Sequence, residues 1–412
     1  MPIEFKQHTL DNGLTVLAEC NDDAHTGAVG FFTRTGARDE SKELMGVSHF
    51  LEHMMFKGTA RRTAEDVNRE FDEIGANYNA FTSHELTGYF AHVLPEYVPQ
   101  ATDLLADIMM PALREEDFNT EKHVILEEIG MYEDQPEWRL QDTILEDFYA
   151  GHPLGHRVLG TGGDTGTVNQ LTPQQMRQYF SERYSPDNIV VSAAGKVDFD
   201  RLVKELEKLT AHWEPKQPRR DHEAPDPAEQ ARTIVDTSLS RHYLALCCPG
   251  PSAQDERRFA AKVLADVIGD TEGSRLYWAL VDPGLAEAAD MGFLPMDQAG
   301  CFFAFASCDA ERARQVEDTL LQTLDKFGAD VTDDEVQRAK NKLATQATVQ
   351  GEAPAGRMRN LGIQWLYLGR YLSLEEELEH LMAVTTDDVR QVAKDFPFHP
   401  RTLERLGPQE PK

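Results

Sequence analysis

The chain has 412 residues and a formal net charge of −30, from 41 Lys and Arg against 71 Asp and Glu. That balance excludes a nucleic-acid-binding role, because phosphate contacts need a basic surface. The length, with 41% hydrophobic and 27% charged residues, describes a globular protein of two or three domains, each able to bury a core.

The N-terminal stretch Met1-Pro2-Ile3-Glu4-Phe5-Lys6 lacks the basic start and apolar run of a secretory signal, and no stretch approaches the length of a membrane span. The five cysteines (Cys20, Cys247, Cys248, Cys301 and Cys308) are odd in number and form no C-x-x-C pair. A disulfide framework is therefore not expected, and a reducing, cytoplasmic compartment is.

The first element in chain order is a strand-like run from Ala28 to Thr33, with Gly30 to Thr35 continuing it. After it comes His49-Phe50-Leu51-Glu52-His53. On a helix, residues three and four apart share a face, so His49, Glu52 and His53 point into one cleft. Two neutral imidazoles suit zinc, and the carboxylate between them suits a general base acting on water. The order inverts the H-E-x-x-H arrangement of the zincins. Read blandly, the same residues are two structural histidines on a helix, so support is needed from elsewhere.

Ala64 to Ile74 places Val67, Phe71 and Ile74 at helical spacing. Asn79-Ala80-Phe81-Thr82 reads as a short extended piece after the Gly75 break, and Thr87 to Val93 as a strand. Glu121 to Ile129 reads as a helix, with Val124, Ile125, Leu126 and Ile129 apolar. Catalytic zinc usually takes three protein ligands. Glu121 and Glu128, two turns apart, share a face; one could bind the metal while the other orients a histidine from behind. Spacing alone does not exclude Glu127. The glycine-rich Gly160-Thr161-Gly162-Gly163-Asp164-Thr165-Gly166 lacks the G-K-[ST] ending of a phosphate loop and reads as a connection to a helix starting near Thr172-Pro173.

From Glu214 through Pro227 the chain is proline-rich and polar. It reads as a linker over residues 215–230 between domains at 1–214 and 231–412. The halves share a plan. Tyr243-Leu244-Ala245-Leu246-Cys247-Cys248 repeats the strand, and Asp255-Glu256-Arg257 repeats Arg38-Asp39-Glu40 ahead of a helix. Registering Glu40 on Glu256 sets Ala265, Ile268 and Gly269 opposite His49, Glu52 and His53, so the second half is expected to hold no metal. Ala310 to Phe327 reads as a long helix, and Thr332-Asp333-Asp334-Glu335 as another helix start. Together these elements predict an α+β architecture of two related domains, each a mainly antiparallel sheet packed with helices.

The segment His49-Phe50-Leu51-Glu52-His53-Met54-Met55-Phe56-Lys57-Gly58-Thr59 resembles the zinc-binding segment of the pitrilysin-type metallopeptidases, the family of insulin-degrading enzymes and mitochondrial processing peptidase. Gly36-Ala37-Arg38-Asp39-Glu40, Asn79-Ala80-Phe81-Thr82-Ser83, Pro153-Leu154-Gly155-His156, Leu159-Gly160-Thr161 and Gln337-Arg338-Ala339-Lys340-Asn341 are similar to its short-subunit bacterial branch. The resemblance implies a clamshell-like chamber and one zinc ion per chain. It implies Glu128 as third ligand, Glu121 in support, Glu52 as base, and Asn79, Ala80, Phe81 and Thr82 as an edge strand on which a peptide substrate adds.

One stretch departs from the family pattern. Where the family supplies an arginine and, seven residues on, a tyrosine to the substrate, this chain has Leu280 and Glu287; Arg275 and Tyr277 lie out of register. The resemblance therefore implies a zinc endopeptidase of peptides or unfolded segments, acting as a homodimer, or as a heterodimer with a subunit that supplies the missing pair. The alternative is a weak or inactive member serving as a structural or peptide-binding subunit.

Overall fold

The computed structural model describes residues 3–227, 229–328 and 330–409. They form two compact units. The first comprises Met1–Gly130, His156–Asp221 and Val349–Leu372, and the second Met131–Gly155, His222–Thr348 and Ser373–Lys412.

The sheet of the first unit contains β1 (Glu4–Thr9), β2 (Thr15–Cys20), β3 (Gly27–Thr33), β4 (Asn77–Thr82), β5 (Thr87–Val93) and β6 (Ile189–Gly195), in the order β1-β2-β6-β3-β5-β4. β2 and β6 run parallel and the other neighbours antiparallel. β3 is buried along its whole length because both faces are covered. Its side chains alternate between those faces. Val29 and Phe31 join a core with Phe50 and Leu51 of helix α1 (Val47–Met55), while Ala28 and Phe32 meet Met358 of the helix Pro354–Leu368. Gly362 permits that second contact, since a Cβ there would sit 2.5 Å from the Phe32 ring.

The second unit contains β7 (Gln230–Val235), β8 (Arg241–Pro249), β9 (Ala288–Met296), β10 (Ala299–Asp309) and β11 (Thr402–Gly407), in the order β7-β11-β8-β10-β9. β7 and β11 are parallel and the rest antiparallel. Strand for strand, this is the β2-β6-β3-β5-β4 portion of the first sheet, so the shared plan of the two halves is a shared topology. Leu244, Leu246 and Cys248 pack with the helix Arg258–Gly269, and Ala245, Cys247 and Cys301 with Leu140, Ile144 and Phe148 of the helix Pro136–Phe148.

Two segments group against chain order. Residues 131–155 cover a face of the second sheet, and 349–372 a face of the first. A boundary at 215–230 alone would not separate these groups. Residues 214–227 carry no helix or strand, yet their start is anchored. Arg220, its side chain only 4% exposed, donates to both Asp39 carboxylate oxygens at 3.0 and 2.7 Å. The expected helix at 310–327 runs over Ala313–Lys326, after a tighter turn at Ala310–Arg312. The expected strand to Thr35 ends at Thr33.

Candidate metal centre

Helix α1 presents His49, Glu52 and His53 on one face, as their spacing requires. Opposite stands the helix Glu115–Glu133, with Glu121 and Glu128 two turns apart. Glu128 Oε2 lies 3.8 Å from His49 Nε2 and 3.6 Å from His53 Nε2. One donor atom from each of the three lies within 4.8 Å of the others, the one such cluster among the described residues. Glu127 is exposed and stands outside it, so the geometry does not support it as the third ligand.

The donor set fits zinc. Tetrahedral bonds of about 2.0–2.1 Å place ligand atoms roughly 3.4 Å apart, so small inward movements would close the site. His49 is buried and its Nδ1 has no hydrogen-bond partner. Its polar capacity is therefore met only through Nε2. Burial and the neighbouring His53 bring its pKa down to about 3, which holds the ring in the neutral form that ligates metals.

His53 differs. Burial pulls its pKa down, but the Glu121 hydrogen bond and the Glu128 and Glu52 charges outweigh that and raise it. Nδ1 lies 2.9 Å from Glu121 Oε1; with the proton on Nδ1, Nε2 keeps a lone pair facing Glu128. Glu121 also pairs with Lys57 at 2.6 Å. Burial raises the Glu121 pKa, but the His53 and Lys57 hydrogen bonds bring it below the ordinary carboxylate value. Burial raises the Glu128 carboxyl.

Glu52 is not part of the ligand cluster. Its Oε2 accepts the Thr82 hydroxyl at 2.7 Å, which sets it between the histidines and β4. Burial raises its pKa above the ordinary carboxylate value. β4 is an edge strand, paired with β5 alone. Its Ala80 N–H is taken by the Asn79 side-chain oxygen at 2.8 Å rather than by a strand. Phe81 is half-buried, beneath the Arg359 guanidinium.

Sequence reasoning missed two contacts here: Thr82 on Glu52, and Lys57 on Glu121. Lys57 lies four residues beyond His53, so helical spacing carried a faint signal for it. Nothing local announced the Thr82 contact.

In the second unit, Ala265, Ile268 and Gly269 are buried in their helix and offer no ligand. Leu280 is fully buried in the core, and Glu287 pairs with Arg241. Arg275 is engaged by Asp330 at 2.7 Å and Glu335 at 2.8 Å.

Residues 15–162 match the domain family described as insulinase (peptidase family M16), and residues 170–343 match the peptidase M16 inactive domain. The chain is 32% identical to a Bacillus subtilis protein named as the uncharacterized zinc protease YmxG, over 98% of each. Its fold is shared with a protease from Helicobacter pylori (TM-score 0.89, 21% identity, covering 98% of this chain and 99% of that one). It is also shared with a chain of complex III2 from Candida albicans (TM-score 0.85, 20% identity, 98% and 96%). On these matches across nearly its whole length, the chain belongs to peptidase family M16.

Proposed function

We propose that this chain is a zinc-dependent endopeptidase of peptides or unfolded protein segments. One observation carries the reading: His49, His53 and Glu128 converge on one point while Glu52, beside them, leans on the edge strand instead. Zinc held by those three residues, one ion per chain, would supply Lewis acidity and lower the pKa of water towards neutrality. Glu52 takes the attacking water's proton and returns it to the leaving amine. The Thr82 hydroxyl fixes which way that carboxylate faces. Glu121 holds His53 in the tautomer that leaves Nε2 free. A substrate in extended form adds along the stretch Asn79, Ala80, Phe81 and Thr82 of β4, bonding the main-chain groups that face away from β5 and displacing the Asn79 side-chain oxygen from the Ala80 N–H.

Leu280 and Glu287 support a second reading. One is aliphatic and buried, the other anionic and paired, so neither can donate to a developing oxyanion. Either a partner subunit in a homodimer or heterodimer provides those donors, or the chain binds peptides without cleaving them. No helix among the described residues is long and apolar enough to cross a membrane. Peptide cleavage by the purified chain, lost on chelation and restored by zinc, tests the first reading; cleavage indifferent to chelation overturns it.

A further inference from the structure

Helix α1 starts at Gly46, which has φ +96° and no side chain with which to cap the first turn. The leading N–H groups of a helix have no partner within it. Here two of them are met from upstream. Glu40 Oε2 accepts the Gly46 N–H and Glu40 Oε1 accepts the Ser48 N–H, both at 2.7 Å, from a position only 4% exposed.

Two further contacts hold the same turn. A Cβ on Gly46 would sit 2.7 Å from the Leu159 carbonyl oxygen, so the backbone is held against residues 159–160 with no space for a side chain. Ser48 Oγ and Tyr179 OH are 2.8 Å apart, and Tyr179 OH is 2.9 Å from Thr35 Oγ1, all buried. His49 follows Ser48 directly, and Glu52 and His53 lie one turn on.

The duplicated topology supplies an internal comparison. Glu40 and Glu256 stand equally far beyond the ends of β3 and β8. Glu256 is exposed, and its side chain makes no hydrogen bond or ion pair among the described residues. There Asp255 Oδ1 accepts the leading Arg257 N–H at 2.8 Å, and the helix starts at Arg258, two residues after Glu256. The clamp on two N–H groups from seven residues beyond the strand belongs to the helix that carries the His/Glu set, and the helix that carries Ala265, Ile268 and Gly269 is met by a single bond from Asp255.

We infer that Glu40 is a positioning residue: by fixing where α1 starts, and so its rotation about its own axis, it aims His49 and His53 at Glu128. The inference rests on the zinc reading of the site. It concerns metal binding, so it is tested apart from hydrolysis.

The test is a chelator-competition titration of zinc, run well below the melting temperature of the metal-free protein. It compares the wild type with Glu40→Gln, Tyr179→Phe and Glu19→Gln. Glu19 is an equally buried carboxylate of the same unit, paired with Arg357 and Tyr371 and remote from α1 in its contacts. Glu40→Gln keeps the shape and one acceptor oxygen. It is expected to weaken zinc binding on the order of 10-fold, as loss of an outer-sphere support does. Tyr179→Phe, which removes one hydroxyl at the same helix start, should weaken zinc binding by less, and Glu19→Gln should leave it unchanged while lowering the melting temperature. Wild-type zinc affinity in both Glu40→Gln and Tyr179→Phe overturns the inference, and so does an equal loss in Glu19→Gln. Should Glu40→Gln not fold, the contrast between Tyr179→Phe and Glu19→Gln decides in the same way. A wild type that binds zinc tightly without cleaving peptide would defeat the reading of a self-sufficient peptidase and leave this one standing.

Discussion

His53 Nδ1 and Glu121 Oε1 stand 2.9 Å apart, and the other Glu121 oxygen pairs with Lys57 at 2.6 Å. The carboxylate thus orients the imidazole from behind while a cation keeps it ionised. Replacing Glu121 with Gln retains an acceptor but removes the charge and strands Lys57. Zinc affinity should fall about 10-fold, and up to about 100-fold for Glu121→Ala. Competition titration with a chelator measures this; unchanged affinity in the Ala variant would show that His53 needs no support.

The edge of the first sheet makes a different prediction. The Ala80 N–H faces away from β5, since its partner is the Asn79 side chain. Proline is tolerated on an edge strand and abolishes that donor. Ala80→Pro should raise KM for extended peptides roughly 3–10-fold, the worth of one main-chain hydrogen bond. Its kcat and zinc content should hardly change. A fall in kcat with KM constant would mean that substrate does not add to β4.

Glu404 governs a pH dependence in the second unit. It is fully buried on β11, its Oε1 lies 4.0 Å from the Arg232 guanidinium, and its other oxygen accepts the Thr143 hydroxyl. Burial, with the Asp147 carboxylate nearby, pushes its pKa up from 4.5 to about 8. The folded chain therefore holds this proton more tightly than the unfolded chain does. That contribution is complete below about 4.5 and is lost as pH rises to about 8. Glu404→Gln, permanently neutral, should be more stable than wild type at pH 8 by on the order of 1–3 kcal/mol, and about equal at pH 5. Melting temperatures at the two pH values check this, and a difference independent of pH would count against it.

The His/Glu cluster was legible in the sequence because its residues sit on two helices, His49, Glu52 and His53 at spacings of three and four and Glu121 and Glu128 at seven, where the helical repeat decides which side chains share a face. The same rule shows the glutamate pair but does not distinguish its members; in the structure Glu121 lies against His53 Nδ1 and Glu128 within 4 Å of both Nε2 atoms. The repeated strand plan was visible as two similar apolar runs. What could not be read were partners joined only by the fold. Leu140, Ile144 and Phe148 mark an amphipathic helix, but nothing in their spacing says which sheet they cover. Arg220 looked like one polar residue of a proline-rich connection, and its burial against Asp39 depends on a residue far upstream.

The most direct measurement pairs metal content with hydrolysis in Glu52→Gln. Glu52 lies outside the ligand cluster, so the variant should bind zinc as the wild type does. Without the base, peptide cleavage should fall by about 10²–10⁴-fold. A zinc-replete Glu52→Gln protein that cleaves peptides at the wild-type rate would contradict the account.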